Sequence, residues 1–170
     1  QAAGASACDF AFGNPHDMPL PAFSAALQKQ TVAQNKDWFA YKMNEEASQQ
    51  HVAHTLRQRM GVEFAPEDIF MTNGATGALN LVLNTVLDPG DEVIINLPPW
   101  FFYEGYIAAC NGVTVKVAVK ADDFDLDLAA IRAAISPRTR AVIVNSPNNP
   151  TGKIYSAATL RALATLLSEA

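Results

Sequence analysis

The run Asn145-Ser146-Pro147-Asn148-Asn149-Pro150-Thr151-Gly152 sets two side-chain amides side by side between prolines, with a glycine at its end. An amide both donates and accepts hydrogen bonds, so Asn148 and Asn149 are suited to fixing the polar edge of a ligand. Asn, Pro and Gly are equally the residues of a plain structural turn, and this segment alone leaves both readings open. A second candidate is Asn73-Gly74-Ala75-Thr76-Gly77. A glycine turn that opens a helix points free N–H groups and the positive end of the helix dipole at one spot, where a phosphate fits. Thr76 adds a hydroxyl donor, and Ala75 is small enough for close approach. The segment is neither GxGxxG nor a P-loop, because no Gly-Lys-Ser/Thr follows, and a turn using glycine for tight geometry explains it as well. The third candidate is Leu97-Pro98-Pro99-Trp100-Phe101-Phe102-Tyr103-Glu104-Gly105-Tyr106. Trp100, first after the prolines, is the residue best placed to stack on a flat ligand, while the other aromatics read as core.

These segments need elements to position them, and the hydrophobic pattern supplies β-α alternation. Asp68–Thr72, Glu92–Asn96, Val113–Lys120 and Arg140–Asn145 read as strands, the last through the apolar run Ala141-Val142-Ile143-Val144. Between them fall helical patterns over Ala75–Leu87, Phe102–Cys110 and Asp127–Ile135. A last helix is expected after an N-cap at Ser156, with Leu160, Leu163 and Leu167 as its apolar stripe. Earlier in the chain, Ala22–Gln30 is a short helical pattern. Ala47–Met60 is a longer one, with Val52, Leu56 and Met60 at four-residue spacing and Gly61 closing it. Such alternation predicts an α/β fold, a mostly parallel sheet covered by helices on both faces. All three candidate segments then lie at the carboxyl ends of strands, where ligands bind in open parallel sheets.

Composition narrows the classes. At 170 residues, 49% hydrophobic and 17% charged, the chain can bury one sizeable core. The 12 basic residues against 17 acidic ones form no stripe, which argues against nucleic acid or an anionic membrane surface as partner. No apolar run approaches the ~18 residues of a membrane span, and the start lacks a secretory layout, so the cytoplasm is the expected location. Cys8 and Cys110 stand far apart and read as small buried hydrophobes rather than a disulfide or zinc framework. His51 and His54 have no third ligand in view and read as a solvated helix face. Asp122-Asp123-Phe124-Asp125-Leu126-Asp127 fails as a calcium loop, with Leu128 at the glycine position and Ala134 at the glutamate position; Asp127 reads instead as a helix cap.

Together an anion cradle, an aromatic plate and an amide pair suit a planar, phosphorylated, heteroaromatic ligand. In their order and spacing, Asn73–Gly77, Pro98–Tyr103 and above all Asn145–Gly152 resemble the class I/II aminotransferases of pyridoxal-phosphate fold type I. The likeness extends back to Tyr41 and the Gly13-Asn14-Pro15 loop. It implies the three-layer transferase fold. Residues 1–45 would contribute to a small domain and the active-site entrance, and residues 46–170 would form the first part of the large cofactor-binding domain. It also implies pyridoxal 5'-phosphate as cofactor, held by Gly74, Ala75 and Thr76 at its phosphate, Trp100 on its ring and Asn149 at its phenolic oxygen. Tyr41 would reach across a homodimer to the other subunit's cofactor, and Gly13 and Asn149 would face the substrates, an amino acid and a 2-oxo acid. By the same resemblance Asn149-Pro150 is expected to be a cis bond.

The residues after Tyr41, Met43-Asn44-Glu45-Glu46, depart from the glycine and Leu-Arg pair usual in that family. The family's Schiff-base lysine, its pyridine-nitrogen aspartate and its carboxylate-binding arginine are expected downstream of Ala170; Lys153 follows the turn glycine and stands in the wrong segment to replace the lysine. A fragment that does not transaminate alone is therefore expected. Other fold type I enzymes, a carbon-sulfur lyase or a decarboxylase, would share every residue named, as would an aminotransferase-like ligand-sensing domain.

Overall fold

The computed structural model describes Gly13 and residues 17–170. The expectations for Cys8 and for Asn14-Pro15 lie outside the described residues. The chain divides into two compact units, Gln1–Ile69 and Phe70–Ala170.

In the first unit, helix α1 spans Pro21–Gln30, with proline at its start, where the missing N–H costs nothing. Helix α2 spans Glu46–Met60 and stops at Gly61, whose φ of 68° is the left-handed conformation that glycine adopts without strain. Its buried face carries Gln49 and Ala53, whereas Met60, expected in the apolar stripe, is 63% exposed. Gln49 turns inward because its amide has a partner: Nε2 donates to the Ile69 carbonyl at 2.7 Å. That contact bears on a correction. The expected strand Asp68–Thr72 is absent: Pro66–Asp68 forms a 3₁₀ turn, and Ile69–Thr72 joins no ladder among the described residues. A strand exists only through its neighbour. Here the Ile69 carbonyl is taken by a side chain, and Phe70 and Met71 stay 67% and 53% exposed.

The second unit follows the alternation read from sequence. Helix α3 spans Gly74–Val86, strand β1 Glu92–Leu97, helix α4 Tyr103–Ala109 and strand β2 Val113–Ala118. Helix α5 spans Leu128–Ala134, strand β3 Thr139–Ile143 and helix α6 Ala157–Ser168. The strands form one parallel sheet in the order β2-β1-β3, with Ile94 opposite Val115 on one side and Val142 on the other.

A central parallel strand is covered on both faces and needs apolar residues on both, which explains the unbroken run Val93-Ile94-Ile95, all 0% exposed. Val93 and Ile95 pack with Leu83 and Leu87 at the end of α3 and with Ile107 of α4. Ile94 packs on the opposite face with Ile131 of α5, Leu163 and Leu166 of α6, and Tyr155. Leu166 rather than Leu160 or Leu167 shares the α6 stripe with Leu163; Leu160 and Leu167 lie at its margins, 38% and 39% exposed. Cys110 is buried in the first of these cores, as expected. The caps fall where the sequence placed them, Asp127 accepting from Ala130 N at 2.9 Å and Ser156 Oγ from Thr159 N at 3.0 Å. Among the described residues no helix is long and apolar enough to cross a membrane.

The strand order has a functional consequence. From β1 the chain crosses through α4 to one side of the sheet, and from β2 it returns through α5 to the other side. The connections leaving β1 and β3 go to opposite faces of the sheet, and in open parallel sheets ligands bind at the carboxyl ends of strands that part in this way.

Candidate functional site

At the first of these ends, Gly74 opens α3 with φ 69°, a backbone conformation that costs a side-chain-bearing residue strain. Asn73, at the cap position, makes no side-chain capping bond. Within the first turn a helix leaves its N–H groups without intrahelical acceptors. Those of Ala75 and Thr76 have no acceptor elsewhere among the described residues. Thr72 Oγ1 donates to the Gly74 carbonyl at 3.0 Å and so braces the turn from behind. Gly74, Ala75 and Thr76 are all exposed.

After β1, the Leu97-Pro98 bond is cis and the chain runs into the aromatic cluster. Trp100 is half-buried and its plane is fixed by edge contacts to Phe102, centroids 5.0 Å apart, and Tyr103, 5.4 Å apart. Burial pushes the Tyr103 phenol up, keeping it neutral. Tyr106, on α4, lies 6.1 Å from the Trp100 ring and brings its hydroxyl to 3.5 Å from Thr76 Oγ1. The aromatic plate and the helix end are thereby neighbours.

After β3, Ser146-Pro147 and Asn149-Pro150 are both cis, the second as expected. The two adjacent amides separate in role. Asn148 is 9% exposed and turned inward, its Nδ2 donating to Thr151 Oγ1 at 3.0 Å and to the Pro98 carbonyl at 3.4 Å. Its backbone closes the turn as well, N to the Lys153 carbonyl at 2.8 Å and O from Gly152 N at 2.7 Å. Asn148 is thus the internal tie of the turn, with its Nδ2 spent on protein acceptors. Asn149 is exposed, held through its own N–H by Asn145 Oδ1 at 2.9 Å, and its side-chain amide has no hydrogen bond among the described residues. Lys153 points away to Asp123, Nζ to Oδ2 3.1 Å.

The three loops are therefore neighbours, Thr76 beside Tyr106 and the Pro98 carbonyl beside Asn148. Tyr106 packs against the core, as expected, and its hydroxyl in addition reaches toward Thr76. Asn96 is the contributor that the hydrophobic pattern does not bring out, though a polar residue interrupting the apolar run of β1 is itself a signal. It is 8% exposed, Nδ2 donates to the Ile143 carbonyl at 3.3 Å, and Oδ1 is buried without a partner among the described residues. Asn96 thus ties the carboxyl end of β1 to that of β3, just before the turn. Tyr41 and Gly13 both lie exposed in the first unit.

Comparison with known proteins gives the family. The family model for aminotransferase class I and II matches residues 6–170. The aspartate/prephenate aminotransferase of Thermus thermophilus is 36% identical over 158 residues, 92% of this chain and 41% of that protein. The arginine–pyruvate transaminase of Pseudomonas aeruginosa is 35% identical over 156 residues, 91% of this chain and 39% of that one. Among solved structures, an amino transferase from Eubacterium rectale superposes with a TM-score of 0.87 at 28% identity, covering 95% of this chain and 42% of that one. The chain spans about two fifths of the length of the curated relatives it matches. In its family match and in its parallel sheet, this chain belongs to the class I and II aminotransferases, a family of pyridoxal-phosphate-dependent enzymes.

Proposed function

We propose that these residues are the cofactor-holding part of an aminotransferase that moves an amino group between an amino acid and a 2-oxo acid, using pyridoxal 5'-phosphate. The observation that carries the reading is three neighbouring loops, with unpartnered donors on the first and last and an aromatic ring between. The donor set suits the cofactor's chemistry: N–H groups and a hydroxyl for a phosphate, a ring for a ring, and an amide for a phenolic oxygen. When bound, pyridoxal phosphate supplies an electron-withdrawing ring that lowers the barrier to moving a proton at the substrate's α-carbon.

Each residue then has a task. Ala75 and Thr76 donate N–H bonds to the phosphate, Thr76 adds its hydroxyl, and Gly74 permits the turn. Trp100 lies on the ring face and excludes water from it. Asn149 donates its Nδ2 to the phenolic oxygen and also faces the substrate. Gly13 belongs to the substrate entrance formed with residues 1–45, and Tyr41 serves the partner subunit's phosphate in a homodimer. By this reading the lysine amine that engages the cofactor is supplied from elsewhere than the turn, where Lys153 pairs with Asp123. Relatives of nearly equal identity carry different substrate names, aspartate/prephenate and arginine–pyruvate. Likeness over this part of the chain therefore does not choose among amino-acid substrates.

The test is amino exchange by the full-length protein loaded with pyridoxal phosphate, using paired amino acids and 2-oxo acids. Formation of the new amino acid with the matching oxo acid supports the reading. Release of sulfide or carbon dioxide without exchange contradicts it.

A further inference from the structure

We propose that Tyr106 is an anion-binding residue, supplying a second hydroxyl to the cradle at the start of α3. The inference rests on the reading of that helix end as the phosphate site. Tyr106 occupies a core position that phenylalanine would fill equally well: its ring packs against the Leu83 and Ile107 cluster and stacks with Phe102, centroids 6.1 Å apart and planes 30° apart. The hydroxyl that distinguishes it from phenylalanine lies at the exposed edge of the cluster, beside the start of α3. The only hydrogen-bond neighbour of its hydroxyl among the described residues is Thr76 Oγ1, at 3.5 Å. Good O–H···O bonds span about 2.5 to 3.0 Å, so the two hydroxyls satisfy each other poorly.

That separation suits a shared acceptor instead. Two oxygens 3.5 Å apart can each stand about 2.7 Å from a single third oxygen, which closes a triangle of ordinary hydrogen-bond lengths. An anionic oxygen at its apex receives Thr76 and Tyr106 hydroxyls together, beside the free N–H groups of Ala75 and Thr76. The ring contacts hold the phenol in place before any ligand arrives, so little side-chain freedom is lost on binding.

Equilibrium dialysis of the full-length apoprotein with pyridoxal 5'-phosphate and, separately, with pyridoxal tests the proposal. Tyr106→Phe keeps the ring and its packing. It is expected to weaken pyridoxal phosphate about tenfold while leaving pyridoxal within about twofold of wild type, as for one lost bond to a charged group. Thr76→Val is the reference, with the same selective loss. If Thr76→Val weakens the phosphorylated ligand selectively and Tyr106→Phe does not, the role of Tyr106 is refuted while the cradle stands. An equal loss for both ligands in Tyr106→Phe refutes it too, because packing alone would act on both. A wild type that binds the two ligands equally overturns the cradle and the inference together.

Discussion

Asn148 and Asn149 share a side chain and a turn, yet the fold uses them oppositely. Asn148 is buried and spends its amide on Pro98 and Thr151, whereas Asn149 keeps its amide free at the surface. Asn148→Ala should cost about 1–3 kcal/mol of stability, since it removes the two hydrogen bonds of a buried amide. Asn149→Ala should cost no more than about 0.5 kcal/mol, as an exposed substitution does, while weakening cofactor binding. Urea melts of the two variants check this, and equal losses would contradict the division of roles. Composition could mark the pair but not separate it, because which amide turns inward depends on a carbonyl fifty residues earlier. Asn96 and Tyr106 were hidden for a related reason: each is polar at one atom only, and that atom's partner lies on another element.

At the scale of elements, apolar runs and turn residues located β1, β2, β3 and the helices between them. Those are local properties of the chain, as are the caps at Asp127 and Ser156. Ser156→Ala should therefore destabilise α6 by about 1 kcal/mol in a thermal melt. The Asp68–Thr72 run failed as a strand because pairing is not local. The amino ends of the strands hold the main ionic network. Glu92 accepts from Ser136 Oγ at 2.6 Å and from Arg138 Nε and Nη2 at 3.0 and 2.6 Å, and Asp91 pairs with Arg140 at 3.2 Å. Hydrogen bonds from Ser136 and Arg138 hold the Glu92 carboxyl below the usual range, and the Asp88 N–H and Arg140 do so for Asp91. Folding thus lowers both pKa values, so their stabilisation is complete above the ordinary carboxylate range and is lost as pH falls through the lowered values. Glu92→Gln should melt lower than wild type near neutrality, with the gap closing under acid. A gap independent of pH would show that charge at Glu92 is immaterial.

For the molecule as a whole, apolar surface remains uncovered. A groove of about 450 Å³ beside α3 is lined by Phe70, Thr72, Ala78, Leu81, Val82 and Val86, and Leu81 and Val82 are 50% and 54% exposed. Contiguous apolar patches of this kind drive association. The 170-residue chain expressed by itself should therefore self-associate, and a monodisperse monomer in sedimentation would contradict that expectation. The family was legible because its signature lies at strand ends, which the sequence pattern locates. Contacts between distant elements were not, because they leave no local pattern in the chain. The central claim is that these loops hold pyridoxal phosphate, and the visible absorption spectrum of the full-length protein tests it most directly. After incubation with pyridoxal phosphate and extensive dialysis, wild type should keep a visible band that Asn149→Ala and Thr76→Val lose more readily. A colourless wild-type protein, or a band that both variants retain unchanged, would contradict it.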